Sequence, residues 1–215
     1  MDRRREVVER LTGGRLVAVL RTPDAESAAW LGEHLIRLRW PSVEVTWTIP
    51  GAAGVLRHLV DLARGSETLL GAGTMRGTGQ AFEAIAAGAS YLVSPARPVG
   101  LAALAHNHDL PVVLGAMTPH EVHEALEGGA DFVKLFPIHR VGGPAYVRDL
   151  LAPFPDLRAL VSGGIEPDDV AAHLDAGAAV VSLGQTLTPG HARERRDEAV
   201  LAECVHRALQ SAGLS

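Results

Sequence analysis

Lysine is almost absent from this chain. Of its 20 basic residues, 19 are arginines and one, Lys134, is a lysine. Cysteine is nearly missing too. The single Cys204 cannot make an internal disulfide, and with no secretory pattern at the start the chain is expected in a reducing cytoplasm. Aromatic residues make up only 4% of the chain, and no basic block interleaves with them at a net charge of -5, which argues against a nucleic-acid partner. No apolar run reaches membrane-spanning length, so no membrane partner is expected. None of the ten histidines has the carboxylate or cysteine company of a metal site; His106 and His108 read as loop residues, and no metal is expected.

What remains is punctuated and regular. Short apolar runs alternate with helical patterns in units of about 25 residues, and glycines close several helices just before the next strand, as in Ala87-Gly88-Ala89 and Ala176-Gly177-Ala178. The strands read as 16–20, 43–46, 68–70, 91–93, 112–114, 131–136, 159–161 and 180–183, and a helix over 2–11 precedes them. The last helix reads as one piece over 192–209. Strands apolar on both faces and joined by helices imply a parallel sheet covered on both sides. Eight such units predict an α/β (β/α)8 barrel with an extra N-terminal helix, one domain over 1–215. An open doubly wound sheet is the alternative, but no Gly-x-Gly-x-x-Gly follows the first strand.

Lys134 sits inside one of these strands, in Val133-Lys134-Leu135-Phe136-Pro137, where an ammonium is costly to bury. Burial disfavours the charged form of an amine, so a desolvated lysine can act as a nucleophile, which an arginine cannot. This makes Lys134 a candidate for Schiff-base chemistry. The alternative is a strand-end lysine reaching out to solvent. Glu44 is the second misplaced charge. Val43 and Val45 flank it, so the period of two puts Glu44 and Thr46 on the opposite face, towards the barrel interior. A buried carboxyl there could move the protons that imine chemistry requires, or could be a structural ion pair, for instance with Arg21.

Chemistry in such barrels gathers at the C-terminal ends of the strands. Those positions hold Arg21, Glu44, Thr46, Thr74, Ser94 and Lys134, then Ser162-Gly163-Gly164 and Gly184-Gln185. The last two segments lie where barrels often hold a phosphate, although paired glycines also make plain turns. Gly71-Ala72-Gly73-Thr74 reads as a loop that could offer amides and a hydroxyl to a carboxylate, or as a simple turn with a capping threonine.

With these residues together, the chain resembles the class I aldolases acting on 2-keto-3-deoxy-6-phosphogluconate and 4-hydroxy-2-oxoglutarate (KDPG and KHG). The segments that carry the resemblance are Val43-Glu44-Val45-Thr46, Gly71-Ala72-Gly73-Thr74, Ser94-Pro95, Val133-Lys134-Leu135-Phe136-Pro137 and Ser162-Gly163-Gly164-Ile165. The resemblance implies a cofactor-free and metal-free lyase, usually a homotrimer, whose small-molecule substrate is a keto acid. It implies that Lys134 forms the imine, that Glu44 moves the protons, and that Thr74 and Pro95 lie at the pyruvate end. It also implies that Ser162, Gly163, Gly164, Gly184 and Gln185 lie at the phosphate end. Two positions depart from the family. Thr48 stands where an arginine usually meets the substrate carboxylate, with Arg21 as the substitute, and Gln185 stands where a serine usually meets the phosphate. A sugar-phosphate epimerase on the same barrel and a non-catalytic keto-acid-binding relative are the alternatives.

Overall fold

Strand and helix alternate along the whole path, and the strands close on themselves. The computed structural model describes residues 2–214; the terminal residues of the expected domain, Met1 and Ser215, lie outside that range. The strands are β1 (Leu16–Leu20), β2 (Ser42–Thr46), β3 (Leu69–Gly73), β4 (Leu92–Val93), β5 (Val112–Ala116), β6 (Phe132–Leu135), β7 (Ala159–Ser162) and β8 (Val180–Leu183). All neighbours pair in parallel, and β8 pairs with β1 through Leu16 and Val181, so the sheet is a closed eight-stranded barrel.

The helices are α1 (Arg3–Gly14), α2 (Ala25–Arg37), α3 (Ala52–Leu62), α4 (Thr78–Ala86), α5 (Leu101–Asn107), α6 (Pro119–Glu127), α7 (Pro144–Leu151), α8 (Val170–Asp175), α9 (Gly190–Arg195) and α10 (Glu198–Ser211). Their starts follow from local chemistry. Asp24 caps α2 by accepting from the Ser27 amide, and Thr118 with Glu121 forms a capping box at α6. Among the described residues no helix is long and apolar enough to cross a membrane.

Alternation along the strands builds two separate cores. Outward residues such as Val43, Val45, Val133, Val161 and Val181 pack against the helices. Inward residues Val17, Leu69, Tyr91, Val93, Val113, Phe132, Leu160 and Val180 fill the lumen, where Val7 and Leu11 of α1 join them. The extra N-terminal helix thus packs against the starts of the strands and leaves their C-terminal ends for the site.

Three local expectations are corrected. Gly71-Ala72-Gly73 is not a loop but the body of β3, in register with Glu44-Val45-Thr46 of β2. The last helix is two helices, because Arg196 adopts a left-handed backbone (φ 50°) and Asp197 starts α10 by accepting from the Ala199 and Val200 amides. His106 belongs to α5 rather than to a loop, and its Nε2 lies 3.1 Å from Asp131 at the start of β6.

Candidate active site

Lys134 and Glu44 come from opposite sides of the barrel. β2 and β6 are four strands apart in either direction around the sheet. Both side chains point into the lumen and meet there, with Lys134 Nζ 3.6 Å from Glu44 Oε2. The side chain of Glu44 is 0% exposed and that of Lys134 is 7% exposed. Neither carboxylate oxygen of Glu44 has a hydrogen-bond partner among the described residues, so Lys134 is its ionic counterpart and the alternative pairing with Arg21 is not formed. A buried carboxylate without hydrogen-bond donors is costly, and groups kept at that cost concentrate at sites of chemistry.

The lumen accommodates Glu44 because β3 is bare on that side. A Cβ added at Gly73 would lie 1.7 Å from Glu44 Oε1, and one added at Gly71 would lie 2.1 Å from the Tyr91 ring. The Gly-Ala-Gly run is therefore a space-making segment, which explains a strand made of residues with weak strand propensity. Tyr91, below Glu44, hydrogen bonds Ser42 at 2.7 Å. Burial, and then the Glu44 charge, push its phenol well above the ordinary range, so it stays neutral.

Above Lys134 opens a cavity of about 340 Å³. It is lined by Arg21, Thr74 and Pro95, which follow β1, β3 and β4, by Ser162, Gly163, Gly164, Gly184 and Gln185 at and after the ends of β7 and β8, and by Lys134 of β6. Arg21 donates to Thr74 Oγ1 at 3.1 Å and to Thr48 Oγ1 at 3.3 Å. Thr74 holds a left-handed backbone, φ 62°, which is uncommon for a threonine and directs this hydroxyl towards Arg21. Among the described residues Arg21 has no carboxylate partner, so a cation bound only to hydroxyls faces the cavity.

Two of the expected residues, Thr48 and Glu44, do not line the cavity. The contact of Thr48 with the site is the hydrogen bond that orients Arg21. Glu44 lies beneath the lining and communicates with the cavity through Lys134. Ser94 is structural, donating to the Met75 carbonyl at 2.7 Å. His139, next to the cis Phe136–Pro137 bond, hydrogen bonds the Gly163 carbonyl at 2.9 Å through Nδ1.

Sequence reasoning missed Phe136 and Ser182, which also line the cavity, as does Thr186 of the expected Gly184-Gln185-Thr186 segment. Phe136 places its ring centroid 5.8 Å from Lys134 Nζ. Thr186 ties the turn after β8 to that after β7 by donating to the Ile165 carbonyl at 2.6 Å. The alternation of β8 was the signal available for Ser182.

A lysine lining a closed-barrel pocket, paired with a buried carboxylate that no other described residue satisfies, fits an enzyme of the Schiff-base lyase class. Residues 7–204 match the KDPG and KHG aldolase family, and the chain belongs to it. The 2-dehydro-3-deoxy-phosphogluconate aldolase of Treponema pallidum is 29% identical over 97% of this chain and 98% of its own length. The 2-dehydro-3-deoxy-6-phosphogalactonate aldolase of Escherichia coli is 33% identical over 80% and 83%. Among solved structures, the KDPG aldolase of Legionella pneumophila, crystallised with pyruvate captured as a covalent carbinolamine, superposes with a TM-score of 0.81 at 25% identity, covering 92% of this chain and 95% of that one.

Proposed function

We propose that this aldolase reversibly cleaves a 2-keto-4-hydroxy acid into pyruvate and an aldehyde, with Lys134 as nucleophile and Glu44 as proton carrier. The observation that carries the reading is the 3.6 Å approach of Nζ and Oε2 across the lumen. The amine attacks the C2 ketone, and the carbinolamine loses water to give a protonated imine. Glu44 accepts the C4 hydroxyl proton, directly or through a water. The C3–C4 bond breaks, its electrons move into the imine to form an enamine, and the aldehyde leaves. Glu44 returns the proton to C3, and water releases pyruvate and the free amine. Arg21 and Thr74, next to Pro95, support a place for the substrate carboxylate. Ser162, Gly163, Gly164, Gly184 and Gln185 form the end where the aldehyde half would lie. A homotrimeric assembly belongs to the same reading, supported by the family resemblance alone.

Borohydride reduction in the presence of pyruvate tests this: an adduct of pyruvate mass on Lys134 is expected, and its absence would sink the mechanism. Arg21→Ala should weaken pyruvate about 10- to 100-fold in the same trapping assay, because a charge-assisted hydrogen bond contributes about 1.5–3 kcal/mol. Thr48→Ala should lose less, since it acts through Arg21. Equal affinity in Arg21→Ala and the unmodified enzyme would move the carboxylate site elsewhere.

A further inference from the structure

The carboxyl of Glu44 stands one level above its own partner in the sheet. In the β2–β3 ladder Glu44 lies opposite Gly71, and Thr46 lies opposite Gly73. Yet a Cβ added at Gly73 would run into Oε1, Cδ and Cγ of Glu44. The side chain therefore rises along the strands towards their C-terminal ends, where Lys134 Nζ stands 3.6 Å away. No hydrogen bond holds it there, because neither carboxylate oxygen has a partner among the described residues. The ion pair alone is an intermittent anchor, since the amine has to be uncharged when it attacks a ketone.

The space over Gly71 belongs to Tyr91. The three atoms nearest to a Cβ added there are Cζ, Cε2 and Cε1 of the Tyr91 ring. Tyr91 directly precedes β4, is fully buried in the lumen core, and accepts from the Ala72 amide at 3.0 Å through its carbonyl. Its hydroxyl lies 2.7 Å from Ser42 Oγ, and Ser42 Oγ donates to the Leu69 carbonyl at 3.2 Å. A serine has one proton to give, so with that bond made the phenol donates to Ser42 and not to Glu44. Ser42 is two residues before Glu44 on the same face of β2. The ring is thus anchored to β2 and β3 at the level just below the carboxyl.

We infer that Tyr91 is a positioning residue: its ring fills the room over Gly71 into which the Glu44 carboxyl would otherwise drop, and so keeps that carboxyl level with Lys134 Nζ through the whole turnover. The ring does this and the hydroxyl only anchors the ring. The inference rests on the aldolase reading above. The test uses pyruvate alone, in D2O. Glu44 takes a C3 proton from the pyruvate imine, the electron pair of that C–H bond moves into the imine to give the enamine, and return of a deuteron to C3 reverses the step. Deuterium in the methyl group is read by NMR, and rates are expressed per Lys134 site that borohydride traps at completion.

Tyr91→Ala is expected to lower the maximal exchange rate by about 10²-fold, the low end of what a positioned acid–base group contributes. The KM for pyruvate should stay the same, because Arg21 and Thr74 are untouched. Tyr91→Phe keeps the ring and should keep the rate. Tyr91→Leu leaves a smaller void, should fall between the two, and takes the place of the alanine variant if that one does not fold. An unchanged rate in Tyr91→Ala, or in Tyr91→Leu in its place, would overturn the inference. So would a change confined to KM, or a loss in Tyr91→Phe as large as in Tyr91→Ala. Trapping in the unmodified enzyme separates the two layers: with a pyruvate adduct on Lys134, those outcomes remove the role of Tyr91 alone, while absence of the adduct removes the aldolase reading beneath it.

Discussion

Lys134→Arg is expected to lower kcat for pyruvate release by at least about 10⁴-fold, the scale of losing a covalent nucleophile. The guanidinium keeps a positive charge opposite Glu44 but forms no imine with a ketone. That choice of residue matters, because Lys134→Ala changes two things together. It removes the amine, and it leaves the Glu44 carboxylate buried with no partner among the described residues. Breaking a buried pair in this way costs about 3–5 kcal/mol of stability. Lys134→Ala is therefore expected to be both inactive and thermally weaker, whereas Lys134→Arg is inactive through chemistry. Steady-state rates and borohydride trapping on both variants check the assignment. Retention of more than about 1% of kcat in Lys134→Arg would rule out the amine as the nucleophile.

Gly73→Ala is the second large expected effect, and nothing in the family chemistry of glycine would announce it. The added methyl would sit 1.7 Å from Oε1 and 2.3 Å from Cδ of Glu44, so the carboxyl has to leave its place opposite Lys134. Removing a positioned acid–base group costs about 10²–10⁴ in rate, and a fall in kcat within that range is expected. Gly71→Ala gives the contrast. Its methyl would meet the Tyr91 ring at 2.1–2.4 Å, away from the Lys134–Glu44 pair. Overpacking of this kind costs about 1–3 kcal/mol, so Gly71→Ala should show chiefly a lower Tm. The pair of variants thus separates a catalytic lesion from a packing lesion two residues apart on one strand. Wild-type kcat in Gly73→Ala would mean that Glu44 does not need its present position.

That strand was also where sequence reading fell short. Glycines carry no side chain, so β3 shows no alternation, and a Gly-Ala-Gly run reads as a turn. Its strand character follows from the volume of Glu44 and Tyr91 across the lumen, which no local pattern contains. The break at Arg196 was hidden for a different reason: arginines and glutamates propagate helices well, and the Asp197 cap that restarts α10 lies inside that charged run. Thr48 was expected near the substrate by its sequence position, yet the turn after β2 places it behind Arg21.

By itself the sequence determined that eight strand–helix units close into a barrel, that Lys134, the single lysine, stands inside an apolar strand, and that Glu44 faces inward between two outward valines. These are consequences of composition and of a period of two, and both act over a few residues. Only the tertiary structure decided that the two charges meet, because closure brings strands that are distant in the chain to opposite sides of one lumen. It alone decided that Arg21 is held by Thr48 and Thr74. Each of these depends on the ends of several strands converging, and convergence is a property of the closed sheet rather than of any segment in it.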